Sequence, residues 1–141
     1  MTKFSKTLFS TLLLVLNLHV LSSLSHANDL SIANVVLTDR SPSSDAVVIE
    51  FDLAWENAWK TKINHDAVWL TVRLNDSASP TDKRLCQLTT AGVNPTGIDL
   101  GSSSAIEAYV PADKLGVFIR PDSFTTQAAI STTAMSVTVD Y

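Results

Sequence analysis

Cysteine is all but missing. Cys86 is the only one in 141 residues, so no intrachain disulfide can form. With no second thiol to resolve an oxidised state, Cys86 reads as a small buried hydrophobe in a strand. Histidine is nearly as scarce, with three in the chain. His19 and His26 lie in an N-terminal leader, which leaves His65 alone to serve a metal site or a catalytic triad. His65 precedes Asp66, but neighbours in an extended chain point to opposite faces, a poor geometry for a base and its orienting carboxylate. His65 therefore reads as a solvated residue ahead of a strand. Glycine and proline number 4 and 5, too few for a collagen or a low-complexity chain. Basic residues are also few. Removing Lys3 and Lys6 with the leader leaves 8 Lys+Arg against 14 Asp+Glu, net −6. Such a chain lacks the clustered cations that hold phosphate, which excludes nucleic-acid binding and attraction to anionic lipid. The G-x-S-x-G elbow, H-E-x-x-H, the P-loop, G-x-G-x-x-G and the D-x-D-x-D-G calcium loop are all absent. No cofactor and no metal site is expected.

Long hydrophobic runs are missing after residue 24. Before it, Lys3 and Lys6 precede an apolar stretch from Leu8 to Leu24, interrupted by Asn17, His19 and a serine pair. The uninterrupted core, Leu12 to Leu16, is too short for a membrane span, which needs about 20 apolar residues. Ser25 and Ala27 supply the small residues of a cleavage site. Residues 1–27 thus read as a signal peptide cut after Ala27, with no integral membrane segment beyond it. The expected localisation is exported: periplasmic, cell-surface or extracellular. Residues 28–141 are enough for one domain with one core.

What remains is patterned with period two. Val47, Ile49, Phe51, Leu53 and Trp55 share one face of a strand, with Glu50 and Asp52 on the other. Val68, Leu70, Val72 and Leu74 alternate with Trp69, Thr71 and Arg73, and Met135, Val137, Val139 and Tyr141 alternate with Ser136, Thr138 and Asp140. Leu30–Thr38 reads as an opening strand and Gly116–Arg120 as a short one stopped by Pro121. Lys83–Leu88 and Ser123–Ile130 carry weaker strand patterns. Asn57–His65 fits either a helical turn or an irregular loop. Turn clusters at Asp39–Asp45, Asn75–Asp82, Asn94–Gly97 and Gly101–Ser104 punctuate these runs. The expected fold class is all-β, a single antiparallel β-sandwich of Ig-like or jelly-roll-like type.

Two features invite a functional reading. Glu50 and Asp52 sit two apart on a strand face, about 7 Å between side chains, near the spacing of glycosidase carboxylates. The solvent face of an amphipathic strand explains them more simply. The tryptophans hold more interest. Trp55 is in phase with the core, whereas Trp69 is out of phase and Trp59 stands four residues after Trp55. Trp59 and Trp69 either cover a small cluster or present flat faces on which a sugar ring could stack.

The runs Phe51-Asp52-Leu53-Ala54-Trp55-Glu56-Asn57-Ala58-Trp59-Lys60 and Asp66-Ala67-Val68-Trp69-Leu70-Thr71-Val72 resemble a paired pattern, F-D-[LI]-S-W-x-N-S-W-[RK] and D-A-A-W-V-F-V. That pattern belongs to the N-terminal β-module of secreted bacterial proteins, many from Bacteroidetes. Ile32–Thr38, Gly116-Val117-Phe118-Ile119-Arg120 and Ser136–Tyr141 resemble its other strands, so the likeness spans residues 28–141. In that family a formylglycine-generating-enzyme-like (sulfatase-modifying-factor) domain follows the module. His65 stands where the family commonly has Trp, and the enzyme-like domain is absent, so none of its functional residues carries over. The resemblance implies a non-catalytic accessory or interaction module, either a fragment or a stand-alone copy, whose partner is an unknown protein or glycan at the cell surface. A carbohydrate-binding sandwich using Trp59 and Trp69 is the alternative. Asp76-Ser77-Ala78 resembles a D-[ST]-A acceptor for O-glycosylation at Ser77. The family adds a further strand after Tyr141, so an unpaired β edge is expected beside the last strand.

Overall fold

The computed structural model describes residues 29–41, 43, 45–75 and 83–140. The leader with its cleavage point at Ala27, the candidate acceptor Ser77 and Tyr141 lie outside the described residues. The architecture is all-β and antiparallel. Eleven strands run in order: β1 (Ser31–Ser41), β2 (Ala46–Lys60), β3 (Val68–Leu70), β4 (Arg73–Asn75), β5 (Lys83–Leu85), β6 (Gln87–Leu88), β7 (Gly92–Val93), β8 (Ile98–Asp99), β9 (Ile106–Val110), β10 (Val117–Pro121) and β11 (Thr125–Asp140). The described residues contain no helix. A five-stranded sheet has the order β1-β2-β11-β6, with β8 also pairing β11. A four-stranded sheet has the order β3-β10-β9-β7, and β4 and β5 form a separate hairpin.

Alternation explains the core between the two sheets. Phe51, Leu53 and Trp55 of β2 face Met135, Val137 and Val139 of β11 and Ile106, Ala108, Val110, Val117 and Ile119 of the other sheet, all buried in one cluster. The expected phase of β2 holds as far as Trp55, which is 2% exposed. There the pairing slips by one residue on β2, between Trp55↔Ile130 and Ala58↔Ala128. Asn57 takes up the extra residue in a left-handed conformation, φ 60°, and Gln127 Nε2 donates to its Oδ1. A bulge of this kind inverts the face that later residues present. Ala58 is buried in consequence, and Trp59 is carried to the opposite face. The segment with two open readings, Asn57–His65, is therefore strand to Lys60, followed by a tight turn. The Thr61 N–H donates to Asn64 O at 2.7 Å, and Lys60 bridges back to His65.

Other strands differ from expectation for comparable reasons. The run from Val68 to Leu74 is broken because the chain leaves the four-stranded sheet after Leu70 and enters the β4–β5 hairpin. The Cys86 N–H closes the hairpin base on Val72 O at 3.0 Å, and Cys86 itself is buried. The last strand is longer than the alternation from Ala134 suggested, because β11 continues back to Thr125 through a bulge at Ala134, φ 55°. Asp52 secures that bulge. Its Oδ1 accepts from the Ala134 N–H at 3.0 Å, and its Oδ2 accepts from Asn34 Nδ2 at 2.6 Å on a second bulge in β1. On the far side, buried Thr132 donates its hydroxyl to Leu100 O at 2.5 Å. No open edge runs along the end of β11. Beyond the bulge it pairs with β2 on one flank, and with Leu88 and Gln87 of β6 and Ile98 and Asp99 of β8 on the other. The long edge strand is β1, interrupted by two register shifts of the kind that discourage pairing with another chain.

Candidate functional site

The outer face of the four-stranded sheet carries the site. Residues opposite one another in an antiparallel pair share a face. Phe118 of β10 lies opposite Trp69 of β3 on one side and Tyr109 of β9 on the other. Val93 of β7 lies opposite Tyr109. One row of side chains, Trp69–Phe118–Tyr109–Val93, thus crosses all four strands on the side away from the core. Trp69 is 43% exposed, Tyr109 38% and Val93 55%. Ring centroids of Trp69 and Phe118 are 4.3 Å apart at an interplanar angle of 41°. Those of Phe118 and Tyr109 are 6.5 Å apart at 18°.

Gly116 fixes how Trp69 lies. A Cβ built on Gly116 would fall 2.5 Å from Trp69 Cζ2, 2.7 Å from its Cη2 and 2.5 Å from Leu70 O. The indole therefore rests on bare backbone, where any side chain would displace it. Its inner side is in contact with the sheet and the remainder of its surface meets water. The two stretches D-A-x-W and G-V-F, fifty residues apart in the chain, meet at this point.

A polar cluster borders the row. Glu107 of β9 receives Arg120 Nε at 2.7 Å and Lys60 Nζ at 3.0 Å on the same oxygen, Oε1. Lys60 Nζ also donates to the carbonyls of Pro121 and Asp122, each at 2.9 Å. The Arg120 guanidinium lies 5.6 Å from the Tyr109 ring centroid, within cation–π range. Its Nη1 is 3.3 Å from His65 Nε2. Since guanidinium has no acceptor, the imidazole nitrogen accepts. Partial burial pushes the Glu107 carboxyl up, but the hydrogen bonds and charges of Lys60 and Arg120 outweigh it and hold the group below its usual range. Asp52 is also held low, first by the Ala134 N–H and then by the Asn34 amide. A general acid needs the opposite, a carboxyl raised toward neutrality. Neither group is raised in that way, and each is held by the hydrogen bonds just named.

The sequence-predicted residues are separated. Trp69 lies in the row, but Trp59 is half-buried on β2, and no ring contact joins it to Trp69 among the described residues. His65 lies beside the Arg120 guanidinium, a neighbour that its place in the sequence does not suggest. Phe118, Tyr109, Arg120 and Glu107 were missed by reading the sequence. The signal for Tyr109 and Glu107 was the short alternation Ile106, Ala108, Val110 inward and Glu107, Tyr109 outward. Among the described residues, no group of three or more His, Cys, Asp and Glu is placed to hold a metal ion. No family model, curated protein or solved structure matches the chain.

Proposed function

We propose that this chain is a non-catalytic, exported interaction module, and that it recognises its partner with the outer face of the four-stranded sheet. The observation that carries the reading is Trp69, packed against Gly116 and left 43% exposed beside Phe118 and Tyr109. Solvent-facing aromatics arranged in a row, with a fixed polar border, are the composition of a contact surface. The resemblance to a β-module that precedes a formylglycine-generating-enzyme-like domain supports an accessory role in a larger surface protein or assembly. The leader pattern supports export.

One observation favours carbohydrate as the partner. A sugar ring offers an apolar C–H face and a rim of hydroxyls, and Trp69 offers a supported flat face with Arg120, Glu107 and His65 nearby. This platform rests on Trp69 with Phe118 and Tyr109, and Trp59 takes no part in it. Affinity electrophoresis of the purified protein through gels containing a panel of polysaccharides tests it. Retardation by one polysaccharide, weakened about tenfold or more by Trp69→Ala and unchanged by Trp59→Phe, supports glycan recognition. Retardation that survives Trp69→Ala rejects this face as the binding surface.

A further inference from the structure

The two sheets part company beside β1. Ile32 is paired with Leu53 and Leu37 with Ile49, so both point to the core side of their sheet. Yet Ile32 is 48% exposed and Leu37 72%, because the order β3-β10-β9-β7 places no further strand above them. They form the outer wall of an apolar cavity of about 350 Å³, with Ile49 on one side and Leu70 and Val117 on the other. A volume of this size falls in the range of small-molecule sites.

The polar part of the lining is small and of one sign. Arg73 is exposed and lines the cavity, and Thr71 stands beside it. Among the described residues no Asp or Glu lines the cavity, although acids outnumber bases in the chain. Arg73 has no ion-pair partner among the described residues. An extended peptide would bring a backbone whose N–H and C=O groups need several partners, and this lining offers few. An alkyl chain brings none. A single anionic end would meet the single cation, while an ammonium end would be repelled.

We infer that the cavity binds a free alkyl carboxylate, with its chain between the sheets and its carboxylate on Arg73. A dry cavity of about 150 Å³ takes benzene, so this one has room for about ten to twelve carbons. The inference is independent of the aromatic face and stands or falls separately from it. Isothermal titration of the purified protein with dodecanoate, dodecanol, dodecyltrimethylammonium and phosphatidylglycerol vesicles tests it. Dodecanoate should bind one to one and about tenfold or more tighter than dodecanol, the margin expected of a charge-assisted hydrogen bond. Arg73→Gln should abolish that margin and leave dodecanol binding unchanged. Ile49→Trp should fill the cavity and remove both. Cys86 also lines the cavity, so saturation with dodecanoate should slow its alkylation by N-ethylmaleimide. Equal affinity for dodecanol and dodecanoate, a margin that survives Arg73→Gln, binding to vesicles alone, or no binding would each overturn the inference. If Ile49→Trp fails to fold, Arg73→Gln at its exposed position still decides.

Discussion

The two sheets face water with different side chains. On the outer face of the five-stranded sheet, Glu50 sits opposite Ser136 and Val48 opposite Thr138, and Asp52 is tied to two bulges. Apart from Trp59, half-buried on that face beyond the bulge, and Val36 opposite Glu50, short and polar groups cover that surface and serve the backbone beneath. On the four-stranded sheet the corresponding positions hold Trp69, Phe118, Tyr109 and Val93. Neither outer face contributes to the main core, which lies between the sheets. Along Val48 to Asp52 of β2 and the residues opposite them, the five-stranded sheet shows that small and polar residues suffice to finish a solvent face in this fold. The aromatic row is therefore more than closure of the sandwich demands, and an exposed apolar row with a fixed polar border is the form a contact surface takes.

The sharpest way to break this contrast is to take away the bare backbone under Trp69. Gly116→Ala puts a Cβ 2.5 Å from both Leu70 O and Trp69 Cζ2. The indole can swing away, but the carbonyl belongs to the paired strand and yields only with the sheet. A loss of about 1–3 kcal/mol is expected, the usual penalty of overpacking, read as a lower midpoint in urea. Trp69 fluorescence should shift to the red as the ring enters water. An unchanged midpoint would mean that the row is not held as described.

Removing the aromatic ring itself should matter less for stability. Trp69→Ala forfeits its contact with Phe118, worth about 0.5–1.5 kcal/mol for an aromatic pair. If the row exists for contact, binding should fall much further than stability in this variant. A stability loss of core size, about 3 kcal/mol or more, would instead make Trp69 a structural residue, and the two outer faces would no longer differ in purpose.

Much of this architecture was legible in advance, and the reasons it was legible also show where reading stops. Val47 to Trp55 alternates because one face of β2 is core and the other water, and both conditions leave a mark on residue choice. Asn57 leaves no comparable mark. A single residue with positive φ inverts the phase, so Trp59 looked like a partner for Trp69 when the bulge sets the two apart. The strand Ile106–Val110 was hidden by its brevity, by a small inward residue in Ala108 and by the serines and Pro111 around it. Tyr109 and Glu107 were hidden with it. Arg120 and His65 were visible singly, but their meeting depends on pairing across three strands that no local pattern records. The unpaired edge expected beside the last strand was filled by β6 and β8, two-residue segments too short to show a period.

Acid should act on both sheets at once, through one carboxylate in each. Asp52 and Glu107 have pKa values lowered in the folded protein. A group of that kind stabilises the fold fully above its unfolded pKa, and its contribution is lost as pH falls through the folded value. Stability should therefore decline below about pH 4. Asp52→Asn and Glu107→Gln should each be less stable than the parent at pH 7, with a gap that closes toward pH 2. Thermal melts across that range would show it. A gap that stays constant would mean that ionisation of these groups is immaterial and that only their shape counts. If only Asp52→Asn closes the gap, the charged cluster beside Tyr109 gives binding specificity without supporting the sheet.

The smallest effect is expected in the core that both sheets share. Trp55 is 2% exposed, and its indole N–H is buried without a hydrogen-bond partner among the described residues. An unpaired buried donor typically costs about 1–3 kcal/mol. Trp55→Phe removes that donor and also removes packing volume, which costs a similar amount when a core cannot close over the gap. The two terms oppose each other, so the net change should lie within about 1 kcal/mol of zero. Chemical denaturation of the variant measures it. A near-neutral result would show that the side chain is kept for its volume, filling the space where β2 bends toward its bulge. A loss of about 3 kcal/mol or more, the scale of a large cavity, would show instead that the indole N–H is satisfied in solution, by a water or a ligand within the core. The contrast between the sheets would then extend to their interior, with a polar site on the five-stranded side matching the aromatic face outside the other.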